Sequence, residues 1–229
     1  MAEDRVVWDE LLAAGFLHAL REAHRDATLA VLGSLSRAAG FTERSYGVSA
    51  FDVLATWIDR VFEDEPQVVR DDLNGSPGWR FGPFRDARAG TPLAAQGPRA
   101  YRVLLKRHEF GNVRGIRWDR DSPTKQAVAR QGYVEDPQLE LPLGIGHDTP
   151  GVVTLVLAHS ATDEPLEMEL FLGRPRWNAD GGTAWHWVRE LDDAIGPDPR
   201  RKLVERTMPL WDDREADVPM RLRGETKSA

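Results

Sequence analysis

Val152-Val153-Thr154-Leu155-Val156-Leu157-Ala158 is the stretch that decides the fold. Only Thr154 interrupts its apolar character, and the polar residue at every second position that marks a half-exposed strand is missing. Such a run reads as a strand buried on both faces. It falls far short of the roughly 20 residues that cross a bilayer. Strands surround it. Tyr101, Val103 and Leu105 alternate with Arg102, Leu104 and Lys106, and Val113 to Trp118 could return as a hairpin partner across Glu109 to Asn112. Leu166, Met168, Leu170 and Leu172 alternate with Glu167 and Glu169. The turn at Asn178 to Gly182 then predicts an antiparallel return over Thr183 to Leu191.

The N-terminal part follows a helical period instead. Trp8, Leu11, Leu12, Phe16, Ala19, Leu20 and Ala23 form one apolar stripe. Asp26 could cap a second helix through Leu29, Leu32 and Leu35, ending at Gly40, or the two could be one long helix weakened at Gly33. Ser49 and Asp52 resemble a capping box, after which Phe51, Leu54, Trp57, Ile58 and Val61 line one face. Asn74-Gly75-Ser76-Pro77-Gly78, Gly82-Pro83, Gly90-Thr91-Pro92 and Gly97-Pro98 are turn formers. The expected organisation is therefore a helical subdomain over 1–70, a turn-rich connector over 71–99, an antiparallel β-rich domain over 100–195, and a charged, partly helical tail over 196–229. Helices first and strands later define the class as α+β. In full, a helical bundle precedes an antiparallel β-rich domain with a short C-terminal helix or tail.

Composition narrows the chemistry. The 229 residues include no cysteine, which excludes a disulfide scaffold, a cysteine zinc site and a thiol nucleophile. The apolar fraction of 41% and the 8 tryptophans exclude wholesale disorder. The acidic start is unlike a secretory signal, so a soluble cytoplasmic protein without a membrane partner is expected. Arg outnumbers Lys 26 to 4, a bias expected of a GC-rich bacterial or phage genome.

The net charge of −7 conceals segregation. Residues 1–78 carry −7, residues 79–130 carry +8, residues 131–171 carry −8 with no Lys or Arg, and residues 172–229 are neutral. Either the basic and acidic blocks pair with each other, or the basic block meets a polyanion. Its candidate contacts to nucleic acid are Arg102, Lys106, Arg107, Arg114, Arg117, Trp118, Arg120 and Lys125. Cations on strands beside an aromatic suit single strands, whose bases stack while their phosphates pair. Trp177, Trp185 and Trp187 could add stacking surface.

Gln138-Leu139-Glu140-Leu141-Pro142-Leu143 resembles the peptides with which bacterial replication and repair proteins bind the sliding clamp, of pattern Gln-Leu-x-Leu-x-Leu/Phe. The resemblance implies that Gln138 enters a polar notch while Leu139, Leu141 and Leu143 meet an apolar pocket. Gly40-Phe41-Thr42-Glu43-Arg44-Ser45-Tyr46, with Phe51, is similar to the second helix-turn-helix of AraC-type regulators. It departs from them at Gly47 and Asp52 and is acidic overall, so three structural helices are expected there.

No specific catalytic constellation stands out. Asp119, Asp121 and Lys125, or Glu167 and Glu169, could hold Mg²⁺ for phosphodiester cleavage. His147, His159 and His186 could converge with Asp148, but their spacing matches no ligand motif. No catalytic residue, metal ligand or cofactor is assigned. The expected function is a non-catalytic accessory protein of bacterial or phage DNA metabolism that contacts nucleic acid through the basic segment and binds a sliding clamp through Gln138–Leu143. The alternatives are an assembly subunit using paired acidic and basic surfaces, and a metal-dependent phosphodiesterase.

Overall fold

A computed structural model describes residues 3–35, 39–84, 99–133, 152–163 and 165–191. Three helices come first, α1 (Glu3–Ala13), α2 (Phe16–Ser34) and α3 (Glu43–Val61). Six strands follow: β1 (Val68–Arg70), β2 (Gly78–Phe84), β3 (Arg99–Arg107), β4 (Val152–Asp163), β5 (Leu166–Pro175) and β6 (Trp185–Glu190). They form one sheet in sequential order. The class is α+β, with helices at the N-terminus followed by sheet.

The helices break where the backbone, not the apolar stripe, dictates. Gly15 takes φ 82°, a left-handed conformation that costs glycine little, and it separates α1 from α2. Asp26, expected to cap a second helix, lies inside α2 beside Arg25. The third helix starts earlier than the Ser49 box implied. Thr42 is its cap, with Oγ1 accepting from the Ser45 N–H at 3.3 Å.

The sheet is mixed rather than wholly antiparallel. β3 and β4 run parallel, in register from Ala100↔Val152 to Arg107↔His159, while every other neighbouring pair is antiparallel. A parallel neighbour needs a long crossover. The described part of that crossover holds a 3₁₀ turn (Val113–Gly115) and α4 (Pro123–Ala129). Val113 to Trp118, expected to pair with β3 as a hairpin, instead lies within this crossover. It buries Val113, Ile116 and Trp118 beside Leu104, Val156, Ala158 and Trp185. The opposite sheet face packs Tyr101, Val103, Leu105, Leu155, Leu157, Leu170 and Leu172 against α1, α2 and α3. The decisive run is thus covered on both sides, as its lack of polar alternation requires. Strand β2 occupies part of the expected connector, with Trp79 and Phe81 in the helix-side core between the glycines and prolines that mark turns.

Side chains stand in for ladder bonds at the margins. Beyond the β4–β5 ladder, which ends at Val156↔Gly173, Gln131 bonds both backbone groups of Thr154, accepting from its N–H at 2.8 Å and donating to its carbonyl at 3.1 Å. Buried Asn178 accepts from the Trp118 N–H at 3.0 Å and donates to the Ile116 carbonyl at 3.1 Å. Removing that amide leaves two buried backbone groups unpaired. Asn178→Ala is therefore expected to cost about 2–4 kcal/mol, read as a lowered urea midpoint with an unchanged m-value.

Candidate anion-binding site

Parallel pairing carries β3 and β4 to a common end, where Arg107 lies opposite His159. Beyond it the chain continues through His108, whose N–H donates to the His159 carbonyl at 3.2 Å and extends the ladder. Alternation sends the side chains of this end to opposite faces. Arg107 falls on the helix side with Tyr101, Val103 and Leu105, whereas Lys106 and His108 fall on the crossover side with Leu104.

A cleft of about 900 Å³ opens there, lined among others by Lys106, Arg107, His108, Phe110, Asn112 and Arg120. Lys106 is half-buried, and its ammonium donates to the Arg107 carbonyl at 2.6 Å. Burial lowers its pKa, and the nearby charges of Lys125 and Arg107 lower it further. Arg107 pairs with Glu43 in the first turn of α3. Its guanidinium lies against Gly47, where an added Cβ would sit 2.8 Å from Nη1. Among the described residues, Lys106, Arg114, Arg120 and Lys125 form no ion pair with a carboxylate.

The structure sorts the eight residues expected to contact nucleic acid. Lys106, Arg107 and Arg120 line the cleft, and Lys125 lies outside its lining but close enough for its charge to act on Lys106. Arg114 is exposed. Arg102 is committed to Asp71 at 3.1 Å, and Arg117 pairs with Asp119. Trp118 is 2% exposed and stands edge-on to Trp185, so its ring faces core rather than a base. Trp185 is likewise buried, donating from Nε1 to the Val113 carbonyl. Trp187 bonds Glu3, and Trp177 lies under Arg130. Sequence reading missed Phe110 as the aromatic of the cleft, although it follows Lys106-Arg107-His108 directly. Among the described residues, the carboxylates that meet Arg102, Arg107 and Arg117 come from residues 43, 71 and 119. Gln138, Leu139, Leu141 and Leu143 lie outside the described residues, as do His147, Asp148 and the tail over 196–229.

On the helix side of the same strand ends, His24 and His159 are buried together. The rings of His24 and His159 meet edge-on at 5.9 Å, and Nε2 of His24, His108 and His159 is buried without a hydrogen-bond partner. Burial, reinforced by His108, lowers the His24 pKa to about 4. Burial pushes His159 well below the usual imidazole range, helped by His24, His108, Arg107 and Lys106. His108 is lowered mainly by burial, against the opposing pull of its Nδ1 contact with the Glu109 carbonyl at 2.8 Å and of Glu169. His159 does not converge with His186, which stacks on Tyr133. Glu169 accepts from Ser160 Oγ at 2.8 Å and the Gly111 N–H at 3.0 Å. Among the described residues, no group of three or more His, Asp or Glu is placed to hold a metal ion.

No known protein family matches this chain, and no curated protein or solved structure is significantly similar to it. Among the described residues, no helix is long and apolar enough to cross a membrane.

The buried histidines make the fold acid-sensitive. A His whose folded pKa lies below its unfolded value stabilises the fold fully above the unfolded pKa, and that stability drains as pH falls toward the folded one. For His24 the window runs from 6.5 down to about 4. The loss across it is expected to reach about 3 kcal/mol from this group alone. Urea unfolding at pH 7.5 and 4.5 measures it, and His24→Gln should flatten the dependence.

Proposed function

We propose that the protein is a nucleic-acid-binding accessory protein of DNA metabolism, holding a single strand in the cleft at the common end of β3 and β4. One observation carries this reading. Lys106 and Arg120 line one cleft, neither in an ion pair with a carboxylate among the described residues although Glu43 and Glu109 also line it, and Lys106 is half-buried there under the charges of Arg107 and Lys125. A half-buried ammonium among like charges is unfavourable unless an anion compensates it. Phosphates supply that charge, and half-buried Phe110 supplies a surface for a base. The peptide Gln138–Leu143 adds, from its sequence, a sliding clamp as protein partner.

Titration of a fluorescent oligothymidylate at several salt concentrations tests the cleft. Three phosphate contacts predict a log–log salt slope of about −2 for a single strand, and each contact removed should reduce it by about 0.7. Lys106→Gln with Arg120→Gln is expected to flatten the slope accordingly, whereas Arg117→Gln should leave it unchanged. Binding insensitive to Lys106 and Arg120 would overturn the reading. For the partner, the full chain is expected to be retained on an immobilised bacterial sliding clamp, and retention should vanish on changing Gln138→Ala with Leu141→Ala.

A further inference from the structure

A second, smaller cavity lies on the helix side of the same strand ends. It measures about 40 Å³ and is lined among others by His24 and Thr28 of α2, Tyr46 and Ala50 of α3, Arg107 of β3 and His159 of β4. It shares Glu43, Arg107 and Ala161 with the cleft. A water needs roughly 10–15 Å³ of such volume. The cavity therefore has room for a few waters or one tetrahedral oxyanion, and none for a sugar or a base.

We propose that this cavity receives the terminal phosphate of the strand held in the cleft. The inference rests on the nucleic-acid reading and deepens it, because it makes the end of the strand, not its interior, the recognised feature. Three observations converge on it. Arg107 is the wall common to both spaces, and its exposed partner Glu43 is an anion that a phosphate can replace. Two imidazoles line the cavity, each with a buried Nε2 that has no hydrogen-bond partner, so each retains unused capacity to meet oxygen. On the strand side the charged neighbours are Lys106 and Arg107, with neutral His108 beyond them, and Glu43 and Asp163 are the acidic groups lining the cavity. A terminal phosphate monoester carries more charge than an internal diester and offers more oxygens to these donors. Its charge would offset the mutual repulsion of Arg107 and Lys106, whereas the remaining strand would run past Lys106 and Arg120.

Three ten-nucleotide oligothymidylates test the inference, one with a 5′-phosphate, one with a 3′-phosphate and one with hydroxyls at both ends. The full chain is expected to bind one phosphorylated strand about tenfold more tightly than the hydroxyl-ended strand. Ala50→Leu, which fills the cavity without removing a cation, and His159→Gln are each expected to abolish that preference and leave binding of the hydroxyl-ended strand intact. Ala50 is only half-buried on α3, so its variant keeps the comparison informative if His159→Gln fails to fold. Equal affinity of the native chain for all three strands overturns the terminal-phosphate site while leaving the cleft reading standing. A preference that survives Ala50→Leu also overturns it. Failure of all three to bind overturns the nucleic-acid reading and this inference together.

Discussion

The parallel pairing of β3 with β4 is the constraint on which the rest of the molecule depends. Neither strand has a free face. Leu155 and Leu157 look toward the helices while Val156 and Ala158 look toward the crossover, so both layers must be in place before the pair is dry. The helices alone satisfy one side. The chain between the two strands satisfies the other, and it does so only because it is long enough to cross the sheet and to carry Val113, Ile116 and Trp118 with it. Antiparallel pairing would have placed the end of one strand beside the start of the other. Parallel pairing brings Arg107 and His159 together instead, and with them the cations that define the cleft.

The electrostatics of that end follow from burial more than from charge count. Arg102 and Arg117 belong to the same basic block as Lys106, yet each has a carboxylate close at hand. Lys106 has none among the described residues, and the charges and rings around it are those of Lys125, Arg107, His108 and His159. Histidines in such company stay neutral, which spares the core further charge but leaves them weakly bonded. The region is stable at neutral pH and incomplete as a hydrogen-bonding environment.

Much of the architecture is legible in the sequence. The apolar run over 152–158 identified the central strand, because a strand buries two faces in so few residues. The helical stripes and the alternation over Leu166 to Leu172 were equally plain. Strand direction was not legible, since a period of two is the same whichever way the neighbour runs. Nor was β2, whose Trp79 and Phe81 sit between Gly78 and Gly82-Pro83, residues that read as turns unless the sheet beside them is known. At the site, the basic block pointed to the right segment, but charge in a sequence does not reveal which cations have already found carboxylates. It also favoured Trp118 over Phe110, because the difference between a ring in the core and a ring in a cleft lies in the crossover packing.

The edge-on pair of Trp118 and Trp185 has a spectroscopic consequence. Their ring centres lie 5.3 Å apart with planes at 83°, both buried in the layer behind the cleft wall. Two indoles so close couple their transitions, giving the near-ultraviolet dichroism of the native protein a component that depends on their relative orientation. One indole belongs to the crossover and the other to β6. The protein thus carries, without any label, an optical gauge of how its crossover is seated on the sheet.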